Sequence, residues 1–128
     1  MVLGIGIDNI EVARVEQRLR KEDGLKEQLF TPREIAYCES KVHSVRHYAA
    51  RFASKEAFLK AIGRGLVDGS LFREIEIVSN QDGGPQLMLH GRARKMAETL
   101  GINNVQVALS STKELAGAVV TLETEKGF

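Results

Sequence analysis

Arg51-Phe52-Ala53-Ser54-Lys55-Glu56-Ala57-Phe58-Leu59-Lys60-Ala61-Ile62-Gly63-Arg64-Gly65 reads as the second half of a long helix and its exit. Extended upstream to His43 and Ser44, the pattern places Val45, Ala49, Phe52, Glu56 and Leu59 at helical spacing, so the stripe points at a core. Glu56 is the one charge in that stripe. A buried carboxylate is costly unless it is paired or bound to a metal, so the position calls for a cation nearby. Lys60 lies one turn further on the same side, and Gly63, Gly65 and Gly69 stop the helix and open a loop.

The rest of the chain sets limits on what this helix serves. At 128 residues it suits one domain, 1–128, with a real core. Eighteen basic and seventeen acidic residues leave a net charge of +1, so no global field points to nucleic acid or to a membrane surface. A single cysteine, Cys38, excludes a disulfide framework and fits a reducing, cytoplasmic location. No run is long enough to cross a membrane, and the start Met1-Val2-Leu3-Gly4 lacks the basic region and cleavage site of a secretory signal, so it reads as mature protein.

Upstream of the long helix, residues 2 to 8 read as a buried strand with Leu3, Ile5 and Ile7 on one face and Gly4, Gly6 and Asp8 on the other. Glycine within a strand marks close approach of a backbone or a ligand. Two readings stay open: a ligand beside Asp8, or a closely packed helix with Asp8 merely starting a turn or capping the next helix. Ile10 to about Arg20 follows as a helix, on which Arg14, Arg18 and Lys21 form a basic ridge, either a solvated face or a dock for an acidic partner. After a polar connection around Glu22 to Lys26, Thr31-Pro32-Arg33-Glu34 is a helix start with a capping box. That short helix carries Cys38 as a small buried residue. His43 and His47 stand four apart, a metal spacing that is commoner on plain surfaces.

Downstream, Phe72 to Ser79 and Gln86 to His90 form a hairpin around Asn80 to Pro85. Gly91 to Leu100 is a short helix, and Val105 to Ser111 and Leu115 to Glu123 are strands. The last is apolar on both faces and so needs cover on both, helices on one side and a neighbouring subunit on the other. The whole predicts an α+β fold, a small, largely antiparallel sheet wrapped by one long helix and several shorter ones.

Four separated stretches now share one pattern: Gly4-Ile5-Gly6-Ile7-Asp8 with Arg14, Phe30-Thr31 with Glu34, Arg51-Phe52-Ala53 with Lys55-Glu56-Ala57 and Lys60-Ala61, and Ser110-Ser111-Thr112-Lys113-Glu114. In order and spacing the chain resembles the holo-acyl-carrier-protein synthases, the small 4′-phosphopantetheinyl transferases. The resemblance implies transfer of the 4′-phosphopantetheine arm of coenzyme A to a serine of an acyl carrier protein, with release of adenosine 3′,5′-bisphosphate. It implies Mg²⁺ as cofactor, held by Asp8 and Glu56, which suits a hard cation that takes few carboxylates plus phosphates and water. Glu56, or a water beside the metal, would take the serine proton, and Lys60 would stabilise charge on the phosphates.

The resemblance further implies that Gly63, Arg64 and Gly65 bring backbone N–H groups to the nucleotide and that Ser110 and Ser111 lie near the coenzyme A phosphates. Arg51 and Lys55 are added candidates for coenzyme A contacts. Arg14 and Arg18 would dock the acidic carrier, and the assembly would be a homotrimer with sites between subunits. One departure stands out: the family usually has histidine where this chain has Ser111, and serine carries no positive charge. That leaves a non-catalytic trimer binding coenzyme A or the carrier protein as an alternative, and a metal-dependent phosphohydrolase as a third.

Overall fold

The long helix is α4, Ser44–Ala61, in a computed structural model that describes residues 1–63, 69–80 and 84–125. Around it run, in chain order, β1 (Val2–Glu11), α1 (Val12–Lys21), α2 (Leu25–Leu29) and α3 (Pro32–Glu39). After α4 come a 3₁₀ turn (Gly69–Glu74), β2 (Ile75–Asn80), β3 (Gly84–Leu89), α5 (Gly91–Thr99), β4 (Asn104–Ser111) and β5 (Leu115–Glu123). Two antiparallel sheets result, β1-β5-β4 and the β2-β3 hairpin, so the fold is α+β. No helix among the described residues is long and apolar enough to cross a membrane.

Helix α4 crosses one face of the three-stranded sheet and is covered on its other sides by α1, α3 and β2. Its burial is therefore all round rather than a stripe: from Tyr48 to Leu59 every residue is buried except Glu56. This corrects the reading of Glu56 as a charge on the core face. The charges that enter the core are Arg51 and Lys55, and Glu56 is the position where the helix opens.

Strand β1 also differs from its expected burial. Leu3, Ile5 and Ile7 are 48%, 64% and 60% exposed, and it is the glycine face that packs on α4. A Cβ on Gly6 would drive into the carbonyl oxygen of Ala57, and one on Gly4 into that of Ala61. Apolar side chains on this face would hold the helix a side chain's width away. Glycine lets backbone meet backbone, so the helix takes the small face and leaves the large one bare. The pattern continues in β5, where Ala116, Ala118, Val120 and Leu122 face the helix while Leu115 and Val119 point outward and remain exposed.

Local signals fix several boundaries. Thr31 and Glu34 form the full capping box of α3, the Thr31 Oγ1 accepting from the Glu34 amide and the Glu34 carboxylate accepting from the Thr31 amide. Gly63, at φ 77°, follows the last turn of α4 as its left-handed stop. Three boundaries shift. Strand β1 runs on to Glu11 and α1 starts at Val12, whose N–H donates to the Glu114 carbonyl at 2.8 Å. The polar connection holds the short helix α2, which buries Leu25 and Leu29. Phe72 lies in the 3₁₀ turn, so β2 begins at Ile75.

Candidate active site

Strand β1 and α4 touch through Gly4–Ala61 and Gly6–Ala57, and the next residue on the inward face of β1 opens onto a cleft beside the helix. That residue is Asp8, and it faces Lys60 and Glu56. The Lys60 Nζ donates to Asp8 Oδ1 at 2.7 Å and to the Ile7 carbonyl at 3.3 Å. The Asp8 hydrogen bond holds the Lys60 ammonium above its ordinary pKa. Partial burial, and then the nearby Asp8 charge, push the Glu56 carboxyl upward, with Lys60 and Arg18 opposing. Two acids from distant parts of the chain thus share one open cleft of about 490 Å³, walled by Ile10, Arg14 and Phe52.

Beside it lies a smaller apolar pocket of about 210 Å³ among α1, α2 and α4, formed by Val15, Leu19, Leu25 and Leu29 with Arg14 and Arg18 on its rim. The two cavities share Ile10, Arg14 and Phe52. Arg18 lies over the Phe52 ring at 5.9 Å and pairs with Glu22 at 3.2 Å. Both arginines are exposed, so the basic ridge of α1 borders the cleft.

Other expected site residues lie elsewhere. Lys55 is wholly buried, and its ammonium donates to Glu34 at 2.8 Å, the Phe72 carbonyl at 2.7 Å and the Ile75 carbonyl at 2.6 Å. All three of its donors are used, which replaces the expected coenzyme A contact with a structural role. Burial lowers its pKa and the Glu34 carboxylate opposes that shift. Arg51 is also buried. It donates to Ser79 Oγ at 2.9 Å and stacks on the Tyr37 ring at 4.2 Å, while its Nε has no partner among the described residues. Both side chains are held away from Asp8, against β2 and α3 or the 3₁₀ turn, because positions 51 and 55 lie round the helix from Glu56 and Lys60.

The Gly63 N–H closes the helix end on the Lys60 carbonyl at 3.0 Å, so it is already satisfied rather than offered to a nucleotide. Arg64 and Gly65 lie outside the described residues. Ser110 and Ser111 fall on opposite faces of β4. Ser111 shares the helix side with Ile10, two strands or about 10 Å away. Ser110 is on the outer face, in register with Gly117 and Asn9. The expected pairing of these two serines at one site does not occur within the chain.

Sequence reasoning missed a buried acid network that holds α3, β2 and α4 together. Glu34 caps its own helix, pairs with Lys55 and accepts the Ile77 amide at 3.0 Å. Glu76, a charged residue in β2, is only 3% exposed. It accepts from Thr31 Oγ1 at 2.6 Å and from Arg33 Nη2 and Nε at 2.8 and 3.1 Å, and its Oε1 lies 2.9 Å from His90 Nε2. Strand alternation separates two faces but does not tell a covered face from a bare one. Cys38 is buried as expected, its thiol pushed up to about 12 chiefly by burial, and so is unreactive. His47 sits edge-on to Tyr37, and burial lowers its pKa.

The Arg33 hydrogen bonds, with Thr31 and His90 behind them, hold the Glu76 carboxyl down at about 2, from an ordinary 4.5. A depressed carboxyl pKa stabilises the fold above the unfolded-state value and loses that contribution as pH falls through the folded-state value. Stability on the order of 3 kcal/mol should therefore disappear between about pH 4.5 and pH 2. Urea midpoints measured down this range should fall more steeply for the native chain than for Glu76→Gln. Parallel curves would refute the assignment.

With the geometry in place, the chain can be set beside known proteins. A family model described as the 4′-phosphopantetheinyl transferase superfamily matches residues 4–120. A holo-acyl-carrier-protein synthase of Geobacter sulfurreducens is 45% identical over 125 residues, covering 96% of this chain and 98% of its own. The crystal structure of the Neisseria meningitidis holo-acyl-carrier-protein synthase superposes with a TM-score of 0.85 at 30% identity, covering 97% of this chain and all of that one. The Bacillus anthracis enzyme of the same name, solved in complex with coenzyme A (3′,5′-ADP), gives 0.78 at 32% identity, with 98% and 99% covered. These likenesses run nearly end to end, and on them the chain belongs to the 4′-phosphopantetheinyl transferase superfamily.

Proposed function

We propose that this chain, acting over its whole length as one domain, is a holo-acyl-carrier-protein synthase whose catalytic centre is the Asp8–Glu56–Lys60 cleft. It transfers the 4′-phosphopantetheine arm of coenzyme A to a serine hydroxyl of an apo acyl carrier protein and releases adenosine 3′,5′-bisphosphate. The observation that carries this reading is the meeting of Asp8, Glu56 and Lys60 in a chain of this superfamily.

The donor set suits Mg²⁺. It is all oxygen, and the two acids are close enough for the Asp8 charge to raise Glu56, a repulsion that a divalent cation relieves. Mg²⁺ needs few protein carboxylates, because it keeps several waters and takes phosphate oxygens. Asp8 and Glu56 would hold it, and what it supplies there is positive charge against the pyrophosphate.

The remaining steps belong to side chains. Glu56, with its raised pKa, takes the serine proton as the oxygen attacks the β-phosphorus of coenzyme A. The serine–phosphorus bond forms as the bond to the leaving bisphosphate breaks, and the Lys60 ammonium donates to the phosphate oxygens. Ile10 and Phe52 line the cleft with apolar surface that excludes water. Arg14 and Arg18, on the rim of the adjoining pocket, attract the acidic carrier and orient it. The unpaired thiol of Cys38 suits a cytoplasmic setting.

The decisive assay incubates the chain with coenzyme A, MgCl₂ and an apo carrier and weighs the carrier. A gain of one phosphopantetheine arm, abolished by EDTA, is expected. No gain with any divalent metal would defeat the enzyme reading. Ser111 favours one competing view, a binding module that lacks the family's positive charge near the phosphates. Tight coenzyme A binding without transfer, with transfer restored by Ser111→His, would support it.

The bare outer face of the sheet supports a homotrimer. Leu3, Ile5 and Ile7 of β1 and Val119 of β5 are contiguous there, and a lone subunit would leave them in water. Ser110 shares that face, where a neighbouring copy could bring it toward another subunit's cleft. Sedimentation velocity should give three chains for the native protein and one for Ile5→Asp. A native monomer would rule the assembly out.

A further inference from the structure

Asp8, proposed above as half of a metal site, already has a cation. Its carboxylate is 15% exposed, and the Lys60 ammonium, 48% exposed, sits on its Oδ1 at 2.7 Å. The same ammonium is braced by the Ile7 carbonyl at 3.3 Å, from the residue just before Asp8. Among the described residues Glu56 has no such close partner: Lys60 and Arg18 act on it only through space. The two acids are therefore unequal, one neutralised by contact and the other left under the repulsion of its neighbour.

We infer that Lys60 is a placeholder cation, occupying Asp8 in the metal-free protein and leaving it when a divalent ion enters. The ammonium occupies Oδ1, and a divalent ion brought onto the same carboxylate repels it at close range, so entry of the metal loosens the pair. The released ammonium remains tethered at the cleft, where the next anion to arrive is the pyrophosphate. Metal binding and phosphate binding are thereby coupled through one side chain: each lowers the cost of the other, because Lys60 leaves one anion as another becomes available. A half-exposed ion pair is weak, so the placeholder delays the metal by a small factor and does not exclude it. The inference rests on the reading of Asp8 and Glu56 as metal ligands, and the test separates the two.

Mn²⁺ titrated into the whole native chain, without nucleotide, can be followed by the loss of its free EPR signal. Lys60→Met keeps the length of the side chain and removes the competing charge, and should bind Mn²⁺ about three- to tenfold more tightly. Arg18→Met removes a charge that acts on Glu56 without touching Asp8, and should change affinity less than about twofold. In the native chain labelled with ¹⁵N-lysine, the Lys60 ammonium resonance should move on saturation with Mg²⁺. Equal affinity in native protein and Lys60→Met, an equal gain in Arg18→Met, or an unmoved ammonium signal each overturns the placeholder and leaves the metal site standing. Failure of every chain to bind Mn²⁺ removes the metal site and the placeholder together.

Discussion

Replacing Glu56 by glutamine is expected to slow carrier modification by about 10²- to 10⁴-fold while leaving the fold as stable as before or slightly more so. The size follows from the two roles proposed for this carboxylate, proton acceptor and metal ligand, both of which an amide performs poorly. The absence of a stability cost follows from its surroundings. Glu56 is half-buried beside Asp8, its raised pKa means that the folded state disfavours the charge, and among the described residues it accepts no hydrogen bond that glutamine would lose. Carrier mass shift against time gives the rate, and thermal unfolding gives the stability. Full activity in Glu56→Gln would end the proposed mechanism, and a large loss of stability would mean that the acid is structural.

Its neighbour should behave in the opposite way. Lys55→Met is expected to cost about 3–5 kcal/mol of folding stability, because it leaves Glu34 as a buried carboxylate without its ion-pair partner and strips two buried carbonyls of their donor. Against a total of about 5–15 kcal/mol, that is a large share of the stability of the fold. Adding Glu34→Gln removes the orphaned charge and should recover part of the loss. A double-mutant cycle of urea midpoints would then yield a coupling of more than about 1 kcal/mol between the two sites. Coupling near zero would show that the pair, despite its 2.8 Å contact, does not hold α4 in place.

The contrast between Lys55 and Glu56 also marks how far the sequence can be read. The spacing of α4, the capping box at Thr31 and Glu34, and the hairpin at Asn80 are local signals, and the structure has all three. Whether a helical charge is buried or open depends on what arrives on each side from elsewhere in the chain. Lys55 meets Glu34 and the 3₁₀ turn, whereas Glu56 meets Asp8 from β1, and no window of residues contains those partners. Strand β1 is a sharper case. Its alternation separates two faces correctly, but hydropathy assigns the core to Leu3, Ile5 and Ile7, while steric fit assigns it to Gly4 and Gly6. The signal was present in the glycines, and the exposed face is the one proposed above to pack against a second copy of the chain. Glu76 left no local trace, because its cover comes from Thr31, Arg33 and His90.

The contact of Gly6 with the Ala57 carbonyl has one more consequence, which concerns when the energy of the site is spent. The separation of Asp8 and Glu56 is set where two main chains touch, so no flexible side chain lies in the linkage between strand and helix. Folding itself forces the two negative charges together, before any ligand arrives. In the proposed mechanism an incoming cation meets carboxylates already gathered, with only the Lys60 contact on Asp8 to displace. On this view the paired glycines act as a spacer of zero thickness. If the proposed metal site holds, even one methyl group at Gly6 is expected to weaken metal binding by pushing apart two acids it never touches.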